Sequence, residues 1–132
     1  MVRISSLAAS LLILCAGAVH AQAPAAPAAS GDMMHMMALG THNQLGVLEF
    51  CQTSGSLGAD KVALQQKMIG MLPPSSPDGL DEAEATGKTG VISFGGTRTS
   101  LSDAAKAQNT TVAALCGKIG DALAAAAKSL PQ

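Results

Sequence analysis

The sequence predicts an all-α protein, a compact bundle of four to five short helices with one disulfide linking the first and last helices. Three observations carry that expectation. Apolar residues recur at helical spacing in two long stretches, Met33 to Cys51 and Val112 to Leu130. Cys51 lies inside the first apolar stripe and Cys116 inside the second, so two independent periodicities turn both sulfurs toward the core. The 132 residues include two Phe, no Tyr and no Trp, so the core is left to Ala, Leu, Val, Ile and Met, each burying less surface than an aromatic ring. A disulfide closing a 65-residue separation contributes roughly 4 kcal/mol to such a chain in the loop-entropy description.

Taken in order, residues 1–21 read as an export signal. Arg3 supplies its positive end, Leu7 to Val19 its short apolar stretch, and Val19 and Ala21 the small residues before the cleavage point. Leu14, directly before Cys15, is too large for a lipid-attachment signal. Cleavage following Ala21 predicts a periplasmic or secreted protein, where oxidising conditions keep disulfides. Residues 22–31 (QAPAAPAASG) read as a disordered Ala/Pro linker, and 32–132 as a single helical domain.

The first helix is expected to start near Asp32 or Ser30, with Met33, Met36, Met37, Gly40, Gln44, Val47, Leu48 and Cys51 on one stripe, and to stop at Ser54–Gly58. A second runs from Ala59 to Leu72, burying Val62, Met68, Ile69 and Leu72, before the break at Pro73-Pro74. Asp81, Glu82 and Glu84 form an acidic first turn, suited to the positive end of a helix dipole. From Thr86 to Gly96 the pattern favours a glycine-weakened helix over a short strand. Ser100 or Ser102 caps a short segment through Ala107. Thr110 caps the last helix, whose stripe is Val112, Leu115, Cys116, Ile119, Ala122, Leu123, Ala126 and Leu130; Lys128 and Pro131 mark its end.

Composition narrows the function. Without Arg3, seven basic side chains face nine acidic ones, and neither basic clusters nor stacking aromatics are present, which argues against nucleic acid as a partner. No Cys-x-x-Cys pair supports redox chemistry, and no Gly-x-Ser-x-Gly elbow or free thiol supports nucleophilic catalysis. Gly87-Lys88-Thr89 lacks the upstream glycine of a phosphate loop, with Glu82 in its place. Asn109-Thr110-Thr111 matches the short glycosylation sequon. The chain reads as a non-enzyme without a cofactor. Met33, Met34, His35, Met36 and Met37 are candidate Cu(I) ligands, because soft thioethers and imidazole suit that ion; the competing reading is that these methionines fill a core lacking aromatics. His35, His42 and Glu49 recur every seven residues, which suits a solvated stripe better than a zinc site.

Three segments, Asn43-Gln44-Leu45-Gly46-Val47-Leu48-Glu49-Phe50-Cys51, Ile69-Gly70-Met71-Leu72-Pro73 and Ser102 to Thr111 through Leu115-Cys116, carry a family resemblance. In them the chain resembles small exported bacterial proteins labelled pore-forming and likened to the early secretory antigenic target family. That resemblance implies a helical, non-catalytic, membrane-active protein of the cell envelope, with membrane lipid as partner. Two alternatives come from other classes. A periplasmic acid-stress chaperone would gain positive charge as its nine carboxylates neutralise and His35 and His42 protonate, loosening its helices to expose apolar faces to unfolded periplasmic clients. A periplasmic Cu(I)-binding protein would use the Met/His run.

Overall fold

A long helix opens the structure, and most later elements pack along it. The computed structural model describes residues 26–130, so the expected signal segment, its cleavage point and the start of the linker lie outside the described residues. Helix α1 covers Ala26–Thr53. It begins before Ser30 and Asp32, so residues 26–31 of the expected disordered linker are helical instead. Alanine has the highest helix propensity, and Pro27 falls in the first turn, where no backbone N–H is required of it. The helix ends at Thr53, and Gly55, with φ 73°, lets the chain reverse while the Ser56 and Leu57 amides donate to the Cys51 carbonyl.

Helix α2 is Ala59–Ile69. It stops short of Leu72 because the Met71 and Leu72 amides bond three residues back, tightening the chain into Pro73-Pro74. Val62 is buried as expected, Met68, Ile69 and Leu72 are half-buried, and the polar Gln65 is the second fully buried residue. Helix α3, Leu80–Lys88, follows Gly79 at φ 74° and carries Asp81 and Glu82 in its first turn.

The segment from Thr86 to Gly96 departs from the helical expectation. Helix α3 ends at Lys88, and Val91–Phe94 (β1) pairs antiparallel with Thr97–Ser100 (β2), in the register Val91↔Ser100 to Phe94↔Thr97. Gly95 and Gly96 both have positive φ, 56° and 82°, as the two-residue turn matching strand twist demands. Val91, Ile92, Thr97 and Thr99 supply β-branched side chains on either side. Among the described residues the protein is thus mostly helical, with one small strand pair.

Helix α4 (Leu101–Ala107) is capped by Ser100, whose Oγ accepts from the Asp103 amide at 3.1 Å. Helix α5 (Val112–Lys128) is capped by Thr111 rather than Thr110, with Oγ1 accepting from the Ala114 amide at 3.1 Å. The disulfide joins α1 to α5 at a Cα–Cα distance of 5.6 Å, and both cysteines are fully buried. Val47, Leu101, Ala105 and Leu115 pack around it. A second group, Leu45, Leu48, Val62 and Leu123, fills the space toward α2, and Leu57 and Ile119 touch both.

Small residues replace the missing aromatics by letting backbones meet. At the crossing of α1 and α3, a methyl group on Gly46 would strike the Glu84 carbonyl and lie 2.8 Å from the Lys88 amide nitrogen. One on Gly87 would strike the Asn43 carbonyl and lie 2.7 Å from the Val47 nitrogen. The two helices are therefore in backbone contact. Asn43, buried beside this crossing, donates through Nδ2 to the carbonyls of Ala83 and Val91 at 3.0 Å each and accepts at Oδ1 from the Ser93 amide at 2.8 Å. Its side-chain amide pairs with the open edge of β1 as a further strand would.

Candidate functional site

The feature left over after the fold is accounted for is an exposed apolar surface around the hairpin tip. Period-two alternation puts Ile92 and Phe94 on one face of β1. They are 38% and 69% exposed. The Phe94 ring lies over Gly40 of α1, where a methyl group would come within 3.2 Å of it. One turn earlier on α1 stands Met36, lining with Phe94 and Arg98 a cleft of about 320 Å³. On its other side Phe94 borders a second cleft of about 250 Å³ shared with Ile92, Val47 and Ile119. Phe94 thus separates two shallow depressions, a mostly apolar one toward Ile92 and Ile119 and a mixed one whose lining also carries Arg98 and Glu82.

Met33 and Met37 extend this surface along α1. The expected core-facing stripe included Met33, Met36 and Met37, and the structure overturns that part of it: they are 62%, 53% and 48% exposed. Ala38 is the first core residue of α1 among those whose side chains are described. The stripe is correct from Gly40 onward, where α3, the hairpin and α5 cover it. Before that point α1 runs beyond the α3 start at Leu80; the loop of Pro74, Ser75, Ser76 and Asp78 approaches its Met34–His35 side, and the hairpin tip reaches it at Met36.

The five candidate Cu(I) ligands divide between two directions. Met33, Met36 and Met37 are exposed, whereas Met34 and His35 are half-buried beside the Pro74–Asp78 loop. Among the described residues, no three His, Cys, Asp or Glu side chains gather closely enough to hold a metal. His42 and Glu49, on the side of α1 that meets α3, engage charges there. His42 Nδ1 is 3.6 Å from Glu84 Oε2, and Lys88 Nζ bridges Glu84 Oε1 at 2.8 Å and Glu49 Oε2 at 3.2 Å. Glu84 foremost, then Glu49, hold the Lys88 ammonium above its ordinary pKa of 10.5. This network ties α1 to α3 across the surface of their crossing.

Ile92, Phe94, Asn43 and Gln65 were not singled out from sequence. For the hairpin pair a signal existed: Val-Ile-Ser-Phe and Thr-Arg-Thr-Ser flank a Gly-Gly dipeptide, the pattern of a two-residue hairpin. Compared with protein-family models, with curated proteins and with solved structures, the chain matches none.

Proposed function

We propose that this is a small exported, non-catalytic protein of the cell envelope that acts at membrane surfaces, in line with its resemblance to exported proteins labelled pore-forming. The observation that carries the reading is the outward-facing apolar surface of Phe94, Ile92, Met36, Met33 and Met37. An apolar patch of this kind marks an interaction site, and an aromatic ring on a turn suits the membrane–water boundary. Its mode of action is attachment at the interface. No single helix among the described residues is long and apolar enough to cross a membrane. The bent pair α4–α5 passes that test together only across a 100° break, with α5 held to α1 through Cys116. Pore formation on this reading requires several copies to assemble on the lipid.

The test is vesicle co-sedimentation and dye release with the oxidised protein, at neutral and acidic pH, on anionic and zwitterionic liposomes. Binding is expected, with Phe94→Ser lowering affinity about tenfold or more, since burying a Phe side chain is worth about 1.5–3 kcal/mol. Phe94 is mostly exposed, so its replacement leaves the melting temperature within a few degrees of the parent. Absence of binding at both pH values overturns the proposal. Protection of an unfolded client in acid, without lipid binding, would reassign the same surface to the acid-stress chaperone. A Cu(I) affinity lost in Met33→Leu with Met37→Leu would assign it to copper.

A further inference from the structure

A second groove, away from the hairpin, lies between α1, α2 and α5. It has a volume of about 520 Å³, within the range of small-ligand sites. Leu123 and Ala126 of α5, Leu130 just beyond it, and Met68 and Met71 on the α2 side form apolar walls. Thr41 and Gln44 of α1 complete the lining, and among the described residues no charged or aromatic side chain contributes to it. Ala122 and Ala126, one helical turn apart, leave open the width that larger residues would fill.

One polar group in this groove has an unmet requirement. Gln65 is 1% exposed, its Nε2 donates to the Thr41 carbonyl at 3.0 Å, and its Oε1 is buried without a partner. The amide orientation is fixed, because a carbonyl can only accept, and turning the group over would set oxygen against oxygen. A buried amide oxygen left unpaired is costly, whereas an apolar residue of similar size would avoid that cost. Gln65 is at the same time one of the residues lining the groove.

We infer that this groove binds a neutral, single-chain aliphatic molecule whose polar end donates a hydrogen bond to Gln65 Oε1. The apolar, ring-free walls select a saturated chain. With no cation among the described lining residues, a carboxylate or phosphate head is disfavoured, and the unpaired oxygen selects a hydroxyl or amide N–H over an ether or ester. Oε1 lies beneath the surface, so a ligand reaches it when the groove opens, a movement that the unbranched thioether side chains of Met68 and Met71 in its wall make at low cost.

The experiment is titration of the oxidised protein with 1-decanol and, separately, with 1-methoxynonane, a chain of equal size lacking the donor. The methionine methyl signals in NMR report the location. The expected result is that 1-decanol shifts the Met68 and Met71 methyls, leaves those of Met33, Met36 and Met37 in place, and binds about tenfold more tightly than the ether. Gln65→Met keeps the side-chain length, removes the acceptor and equalises the two compounds. Ala126→Phe, at an exposed position, fills the groove and abolishes both. Equal affinities in the parent protein, no shift at Met68 and Met71, or shifts confined to Met33, Met36 and Met37 would each overturn the assignment. The hairpin surface is untouched by either substitution, so vesicle binding and alcohol binding fail independently.

Discussion

The two halves of α1 share a helix, an apolar periodicity and a similar density of hydrophobic residues, and meet opposite fates. From Asn43 to Cys51 the helix is enclosed: Leu45, Val47, Leu48 and Cys51 are buried, and α3 touches its backbone at Gly46. From Met33 to Met37 the same stripe faces outward. The difference lies in the partners. Periodicity tells which side of a helix is apolar, but the length over which that side is covered depends on where α3, the hairpin and α5 begin and end. The buried half therefore supports stability, and the exposed half is free to contact something outside the chain.

The sharpest way to break this contrast is one substitution made in both halves. Gly46→Ala drives a methyl group into the Glu84 carbonyl, and neither backbone can yield without separating α1 from α3. The expected cost is about 3 kcal/mol or more, at the upper end of overpacking. Gly31→Ala, in the exposed half, meets nothing within 4 Å, removes a flexible residue from the helix and stabilises by up to about 1 kcal/mol. Urea denaturation with the disulfide intact measures both. Equal or same-signed effects would show that the α1–α3 contact is looser than its geometry implies.

Asn43 gives the next largest effect. Asn43→Ala removes three hydrogen bonds and leaves the Ser93 amide and Val91 carbonyl unpaired on the edge of β1, for an expected loss of about 2–3 kcal/mol. Asn43→Asp has the same shape and is expected to do no better, because a carboxylate keeps the bond from Ser93 but faces the two carbonyls with no donor. The urea midpoint distinguishes these outcomes. An Asp variant as stable as the parent would remove the strand-like role assigned to this amide.

What was legible in the sequence follows the same division. Helices with strong stripes and terminal signals, α5 above all, were readable because local propensity and burial agree there. The Cys51–Cys116 bond was readable because each cysteine sits in a stripe of its own. The hairpin departs from the helical expectation because Gly90, Gly95 and Gly96 weaken a helix and permit a strand turn alike; the β-branched residues on either side of Gly95-Gly96 are the local signal that favours the turn, and the positive φ of these glycines realises it. Asn43 and Gln65 were invisible because their partners, Ser93 fifty residues on and Thr41 twenty-four residues back, are set by tertiary packing. The Cu(I) candidates shared a segment of sequence, yet adjacent helical residues point in different directions, and Met34 and His35 part from Met33, Met36 and Met37.

The smallest expected effect concerns charge at the enclosed half of α1, and its sign is fixed by the direction of the Lys88 shift. Glu84 on its own helix, and Glu49 on α1, raise the pKa of the Lys88 ammonium in the folded protein above the ordinary 10.5, against a smaller opposing effect of desolvation. On going up in pH, the unfolded chain releases this proton first. The stabilisation is therefore fully present below about pH 10.5 and is lost as pH rises through the folded-state value. Lys88 is exposed and screened by solvent, so the effect is modest and shrinks with added salt. Lys88→Met should lie slightly below the parent in stability from neutral pH to about pH 10, and the two curves should converge above that. Salt titration at neutral pH should narrow the same gap. A gap that stays constant through the alkaline range would mean that Lys88 contributes through its aliphatic packing rather than through its charge on Glu84 and Glu49.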